Sequence, residues 1–462
     1  MLNIRDKIKI KIHGIANGGE GVARYNNIVV FVPYAAIGDE LLVEITESKK
    51  NYARGKIREI IKASPDRIQP ECKFYFNTKD NYDQWCGGCN FMHLEYGKQL
   101  QYKENLVKSA FQKLAGLSED DYIWDGISSN PRVWGYRNKL QIPISKDRNG
   151  QPCAGFFMPR THNVMKIDNC AVEPTILSTI VDAVLKLLAE YELSIYDENT
   201  RYMGIRHLVI RINKANDIIL TIVSAKKIEE KIYKIADLLS NYFSNIKGIL
   251  YNYNPKRTNV ILGEEFIILT GEDKLTEQIG DISYQISPSS FFQVNSYQVY
   301  NLYEGVKAYL SPKGDEYILD LYCGAGGISL YLAPSVRCVT GVESVKSAVD
   351  NAIENVDKND IFNAMYHNAK IENIIRKFTK NSEFDTIIFN PPRKGIDKKV
   401  FSYIPSLKFK KIIYVSCNPV TLARDLKLFK DFGFNLKRAR AYDMFSQTSQ
   451  VETVALIETN SS

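Results

Sequence analysis

The chain has 462 residues, 45% apolar and 24% charged, ordinary for globular chains and far from the low-hydrophobicity regime of disorder. At roughly 100–200 residues per domain this length predicts several domains. The 8 cysteines are too few and too uneven for a disulfide framework, which leaves metal, cluster or nucleophile roles open to them. A net charge of +7, from 60 basic and 53 acidic residues, permits a nucleic-acid partner. With no apolar run near ~18 residues and no secretory block in MLNIRDKIKI, a cytoplasmic protein without a membrane partner is expected.

Residues 1–62 alternate as short strands, KIKIKI, NNIVVFVP, ELLVEITES and ARGKIREII, broken by Gly14, Gly18, Gly19 and Gly21; a small barrel is expected. Ser64-Pro65-Asp66-Arg67 and Gln69-Pro70 read as a linker before a cysteine-bearing, aromatic stretch from Cys72 to His93. Residues 95–116 space Leu100, Leu106, Val107, Ala110, Phe111 and Leu114 as one long helix that stops at Gly116. Between about 133 and 285, strands such as KLQIPIS and HLVIRIN mix with two helices, PTILSTIVDAVLKLLAEYEL and KIEEKIYKIADLLSNYF, an α+β pattern. Beyond 290 the rhythm becomes strand and helix in turn, YILDLYC, CVTGVE, FDTIIFNPP, KKIIYVSCNP and VETVALIE, which predicts a parallel sheet covered by helices on both faces.

Chemistry concentrates where those strands end. Asp320-Leu-Tyr322-Cys-Gly324-Ala-Gly326-Gly is a glycine turn between strand and helix, where backbone N–H groups can meet a ligand without Cβ clashes. Glu343, at the end of the next strand, is placed to accept ribose hydroxyls. Asn390-Pro391-Pro392-Arg393 and Ser416-Cys417-Asn418-Pro419 leave the same carboxyl edge, where open α/β sheets bind ligands, and a strand-end cysteine there is positioned as a nucleophile. Glu452, in an otherwise apolar strand, needs a partner or a raised pKa. Cys72, Cys86, Cys89 and Cys170 can surround one metal centre, zinc by spacing first and an iron–sulfur cluster next. In Ser287-Pro-Ser-Ser-Phe291-Phe292-Gln293-Val-Asn295, Phe292 reads as core, and the amides of Gln293 and Asn295 can present hydrogen bonds to a base or cofactor.

Together DLYCGAGGISLYLA, SPSSFFQVN, NPPRKG, SCNP and VETVALI resemble the RNA uracil-5-methyltransferase family, GIANGGEGVAR resembles the TRAM RNA-binding module, and the four cysteines resemble the [4Fe–4S] site of 23S ribosomal RNA members. The resemblance covers essentially the whole chain. It implies an α/β, Rossmann-like S-adenosylmethionine-dependent catalytic domain (95–126 and 286–462), an α+β central iron–sulfur and RNA-binding domain (63–94 and 127–285) and an OB-like TRAM barrel (1–62). It implies Cys417 as the thiolate that adds to uracil C6 and Glu452 as the base that takes the C5 proton. Gln293, Asp320, Tyr322, Gly324, Gly326, Glu343, Asn368 and Asn390 would hold the cofactor. Cys72, Cys86, Cys89 and Cys170 would hold the cluster, which displaces the zinc reading. Arg137, Lys139, Phe291, Phe292 and Arg393 would touch the RNA.

Because tRNA-specific members typically lack barrel and cluster, the implied partner is 23S rRNA, and no protein partner is implied for what is expected to be a monomer. Asn390 and Asn368 stand where many relatives carry an acid; asparagine keeps an acceptor and loses the charge. The 13 residues between Cys72 and Cys86, KFYFNTKDNYDQW, are a longer gap than the family's and read as a surface loop. Two other classes remain open at this level: an amino-group methyltransferase using the NPP loop, which would leave Cys417 idle, and a non-catalytic RNA-binding protein.

Overall fold

The alternation KIKIK does what a half-buried strand requires: in Lys7–Lys11 the isoleucines are buried and the lysines exposed. In the computed structural model, which describes residues 2–78, 84–197, 203–381 and 384–459, this strand opens a six-stranded sheet with Glu40–Ser48, Tyr52–Lys62, Ile28–Val32, Gly21–Tyr25 and Gly14–Ile15, in that order. The ladder is open rather than a closed ring; its ends approach where His13 N–H donates to Val22 O at 2.9 Å. Val30, Leu41, Val43 and Ile57 fill its core.

The segment after Cys72 is not the surface loop its polarity suggests. Tyr75 and Phe76 are buried in the same core. Phe76 stacks on Tyr34 with ring centroids 4.7 Å apart, and Trp85 Nε1 donates to Tyr34 Oη at 2.8 Å. Aromatic area removed from water outweighs the local polarity. Residues 79–83 of that stretch lie outside the described residues.

The long helix runs Tyr96–Ala110 and continues through a π-helical turn, Phe111–Ala115, to Gly116 in the left-handed region at φ 65°. Glu95 caps its start, accepting from the N–H groups of Gly97 and Lys98. Lys103 on this helix forms an ion pair with Asp443, Nζ to Oδ1 2.5 Å, both side chains fully buried. Tyr96 and Ser446 hydroxyls donate to the other oxygen. Lys103→Met strands that carboxylate in the core, and chemical denaturation is expected to show a loss of about 3–5 kcal/mol.

The middle of the chain forms a seven-stranded sheet, in the order Val164–Lys166, Pro152–Phe157, Lys139–Lys146, Ile205–Ile212, Ile218–Ser224, Ile246–Tyr253 and Glu265–Gly271. The helices Thr175–Glu190 and Glu230–Tyr242 bury their apolar sides in one core with Leu208, Ile210 and Ile212. A hairpin, Leu275–Ile279 with Ile282–Ile286, leads into the last sheet.

That sheet has eight strands: Ala364–Asn368, Cys338–Glu343, Tyr317–Leu321, Thr386–Phe389, Lys411–Ser416, Glu452–Thr459, Phe434–Tyr442 and Ile123–Ser128. The first five run parallel. The expected all-parallel sheet is corrected at the sixth: Glu452–Thr459 runs antiparallel to both neighbours. Phe434–Tyr442 has no counterpart in the sequence reading because LKRAR looks solvated; its Leu436, Ala439 and Ala441 face the core. No helix among the described residues is long and apolar enough to cross a membrane.

Candidate active site

The antiparallel strand brings the two reactive groups together. Ser416 pairs with Thr453 in the ladder, so one step further along the register Cys417 faces Glu452. Glu452 is buried, and burial pushes its carboxyl up to about 8, opposed by the Arg393 charge. Burial and the neighbouring Glu452 push the Cys417 thiol up to about 11, while Arg393 pulls it down by charge and a hydrogen bond. Arg393 therefore sits beside this pair, not on a separate RNA surface. The two loops are tied directly: Asn418 Nδ2 and Thr421 Oγ1 both donate to Arg393 O, at 3.0 and 3.3 Å.

Two strands away, the glycine turn is shaped by three residues with positive φ: Tyr322 at 64°, Gly324 at 57° and Gly326 at 79°. Gly326 also admits the Tyr366 hydroxyl at a distance that a Cβ would forbid. Ser329, in the helix that follows the turn, donates through Oγ to Asp320 Oδ2 at 2.6 Å. Asp320 is buried, and burial pushes its carboxyl up to about 7. Its Oδ1 and the Tyr366 hydroxyl have no hydrogen-bond partner among the described residues. Glu343 lies across the turn, accepting from Gly324 N–H at 3.2 Å and from Ser344 and Val345 N–H at 2.6 and 2.9 Å. Asn368 Nδ2 donates to Glu343 O at 3.2 Å, and Asn390 N–H to Leu321 O at 3.2 Å. A glycine turn that a ligand can approach closely, a carboxylate beside it and an orphaned buried acceptor, Asp320 Oδ1, fit a nucleoside cofactor.

A cavity of about 690 Å³ opens at Cys417. Arg393, Cys417, Asn418 and Ser449 line one side, Arg54 and Gly19 of the N-terminal sheet another, and Trp85 with Asn90 of the cysteine segment a third. Asn90 ties these walls: its Nδ2 donates to Gly18 O at 2.8 Å and Ser449 Oγ at 3.0 Å, and its Oδ1 accepts from Ser449 N–H at 2.8 Å. The loop before Glu452 is held as firmly. Gln447, at φ 69°, exchanges hydrogen bonds with the buried Gln99 side chain. Sequence reading missed Asn90, Gln99 and this loop; no local pattern announces partners almost 350 residues apart.

Cys72, Cys86, Cys89 and Cys170 do line one small cavity. Among the described residues no group of three His, Cys, Asp or Glu side chains converges tightly enough for a metal ion.

The residues expected on RNA divide. Arg137 lines the cysteine cavity, and its buried Nε has no partner among the described residues. Its charge acts on Cys86, Cys89 and Glu173. Phe292 is packed in the core at 5.4 Å from the Tyr284 ring and offers no free face to a base. Phe291 is 66% exposed. Gln293 is buried, and its carbonyl accepts from Asn138 Nδ2 at 2.9 Å. Lys139 is half-buried beneath Pro288, whose carbonyl accepts from Nζ at 3.4 Å.

Residues 95–460 match the family model described as tRNA (Uracil-5-)-methyltransferase, and residues 2–57 match the TRAM domain. An uncharacterized RNA methyltransferase of Fusobacterium nucleatum is 39% identical over 99% of this chain and 97% of its own length. Another, from Halalkalibacterium halodurans, is 36% identical over 98% and 96%. Among solved structures, the tRNA (uracil-54, C5)-methyltransferase of Pyrococcus abyssi in complex with S-adenosyl-L-homocysteine superposes with TM-score 0.75 at 27% identity, covering 97% of this chain and all of that one.

Proposed function

Because the chain belongs to the tRNA (uracil-5-)-methyltransferase family, and so is an S-adenosylmethionine-dependent RNA uracil-5 methyltransferase, we propose that it methylates C5 of a specific uridine in 23S ribosomal RNA. The observation that carries the chemistry is the register that sets Cys417 opposite Glu452 with Arg393 beside both. C5 of uracil is a weak nucleophile. The Cys417 thiolate adds to C6, and the ring becomes an enolate with its electron density at C5. S-adenosylmethionine, when bound, supplies the methyl group as an electrophile. Glu452 then accepts the C5 proton, and the returning electron pair expels Cys417 from C6. Arg393 works against the burial that disfavours the thiolate and carboxylate forms. Asp320, Tyr322, Gly324, Gly326, Glu343, Gln293, Asn368 and Asn390 form the cofactor side, and Phe291 offers its exposed face to a displaced base.

We divide the chain as 1–62 for the RNA-binding barrel, 63–94 with 127–285 for the central domain, and 95–126 with 286–462 for catalysis, acting as a cytoplasmic monomer. The four cysteines hold a [4Fe–4S] cluster; their shared cavity supports this. A visible charge-transfer band after anaerobic purification, lost in Cys89→Ser, is the expected signature.

A second reading, tRNA as substrate, rests on a specific observation. The Pyrococcus tRNA enzyme covers 97% of this chain, so possession of the N-terminal sheet and cysteine segment does not by itself separate the two RNAs. Mass mapping of nucleosides from a strain lacking this protein decides. Loss of 5-methyluridine from 23S rRNA is expected, its loss from tRNA establishes the second reading, and loss of a methylated purine overturns the role of Cys417.

A further inference from the structure

The carboxyl edge of the eight-stranded sheet carries three asparagines, and they are not alike. Asn368 Nδ2 donates to Glu343 O. Asn418 donates through Nδ2 to Arg393 O and accepts at Oδ1 from Val420 N–H. The Asn390 carboxamide makes no hydrogen bond among the described residues, and the residue is half-buried, not closed off. Polar side chains withdrawn from water are usually engaged.

Asn390 is the first residue beyond the strand Thr386–Phe389, which pairs with Tyr317–Leu321 on one side and Lys411–Ser416 on the other. The first neighbour runs into the glycine turn and the second into Cys417. Asn390 therefore stands between the cofactor side and the nucleophile, where a target base has to lie. Its backbone N–H is spent toward the turn, on Leu321 O, and its carboxamide is left over. Charge at this place is sparse. Glu452 and Arg393 act on Cys417, and Arg393 acts on Glu452; among the described residues no second carboxylate acts on the pair.

That matters for the choice of base. Uracil presents N3–H as a donor beside O4 as an acceptor, whereas cytosine presents N3 as an acceptor beside an N4 amine as a donor. A carboxylate only accepts, so it suits the first edge and repels N3 of the second. A carboxamide carries one group of each kind, and turning it over exchanges them.

We propose that Asn390 faces the N3 and C4 edge of the target pyrimidine, and that the enzyme therefore methylates C5 of cytosine as well as of uracil. This rests on the uracil-5 reading above and adds a second base to it. With uracil, Oδ1 accepts from N3–H and Nδ2 donates to O4, where charge gathers once Cys417 has added to C6. With cytosine, Nδ2 donates to N3 and Oδ1 accepts from the N4 amine. The steps balance as before. The Cys417 sulfur bonds to C6, and the displaced C5=C6 electron pair takes the methyl group from the sulfonium, whose sulfur keeps the bonding pair. Glu452 takes the C5 proton, and the restored double bond expels the thiolate. The N4 amine is untouched.

The test uses two transcripts of the RNA that mass mapping identifies, one with its native target uridine and one with cytidine in that place. Each is incubated with the full chain and S-adenosylmethionine and read by nucleoside mass spectrometry. 5-Methylcytidine should form on the second within about tenfold of the rate of 5-methyluridine on the first, because both edges are matched. Asn390→Asp should lower the ratio of cytidine to uridine rates by more than about 10²-fold.

A purely structural role for Asn390 would change both rates together, and an unchanged ratio in Asn390→Asp overturns the assignment. Methylation of the uridine transcript alone by wild type overturns the proposal and leaves the uracil-5 reading standing, whether or not the variant folds. Methylation of neither transcript brings down that reading, and the proposal with it.

Discussion

Cys417→Ala is expected to remove methyl transfer by more than the ~10²–10⁴ that a proton-transfer group contributes, together with the covalent complex that wild type forms on 5-fluorouracil-substituted RNA. S-adenosylhomocysteine binding should persist, because the glycine turn lies two strands away. The thiol's environment makes a sharper expectation. Burial and Glu452 hold Cys417 up near 11, and Arg393 opposes them. The thiolate is the reactive form, so alkylation by iodoacetamide should accelerate with rising pH. Arg393→Met, which removes the opposing charge, should slow alkylation at a fixed pH. Equal alkylation rates in wild type and Arg393→Met would break the link between that arginine and the nucleophile.

Glu452→Gln separates turnover from thiol reactivity and from stability. Turnover should fall by about 10²–10⁴, and the adduct with unmodified substrate RNA should accumulate because elimination lacks its base. Alkylation of Cys417 should meanwhile become faster, since the carboxylate that raises its pKa is gone. Stability moves the same way as alkylation. The carboxyl titrates near 4.5 when unfolded and about 8 when folded, so within that window the folded chain holds a proton that the unfolded chain has released. Wild-type stability therefore declines as pH rises through the window. Glu452→Gln escapes this decline, and its melting temperature should exceed wild type by more above pH 8 than near pH 4.5. A constant difference across that range would mean the carboxyl is not the titrating group.

What was readable in the sequence followed from periodicity and strand ends. KIKIK, the 95–116 helix and the apolar strands beyond 290 announced their elements because burial alternates with the period of the structure. Cys417 and the glycine turn were visible because strand-end chemistry sits beside diagnostic glycines and prolines. Their convergence with Glu452 was not, since it depends on an antiparallel strand threaded between two others, and strand direction leaves no mark on an apolar run. The charged side chains misled most. Arg137 and Lys139 have the composition of a solvent face, yet one lines the cysteine cavity and the other lies under a loop. Phe291 and Phe292, identical in type and adjacent, divide into an exposed ring and a core ring. Phe292 packs against Tyr284 and so is the core ring, and Phe291 beside it is left exposed.

The three-way clasp at Asn90 also sets a timetable for synthesis. The N-terminal sheet leaves the ribosome first, while Ser449, the partner it shares through Asn90, is 359 residues behind that asparagine. At ~5–20 residues per second that interval is about 20–70 s, far longer than small sheets need to fold. The nascent sheet can therefore stand complete, with Asn90 already on Gly18, well before Ser449 arrives to close the clasp. Gly19 has little room to change: at φ 85°, any Cβ there would fall 2.6 Å from Asn90 Nδ2 and 2.8 Å from the Ser449 Cβ. A side chain at residue 19 would leave the early sheet intact and obstruct the last event of assembly, the closing of the catalytic wall against it.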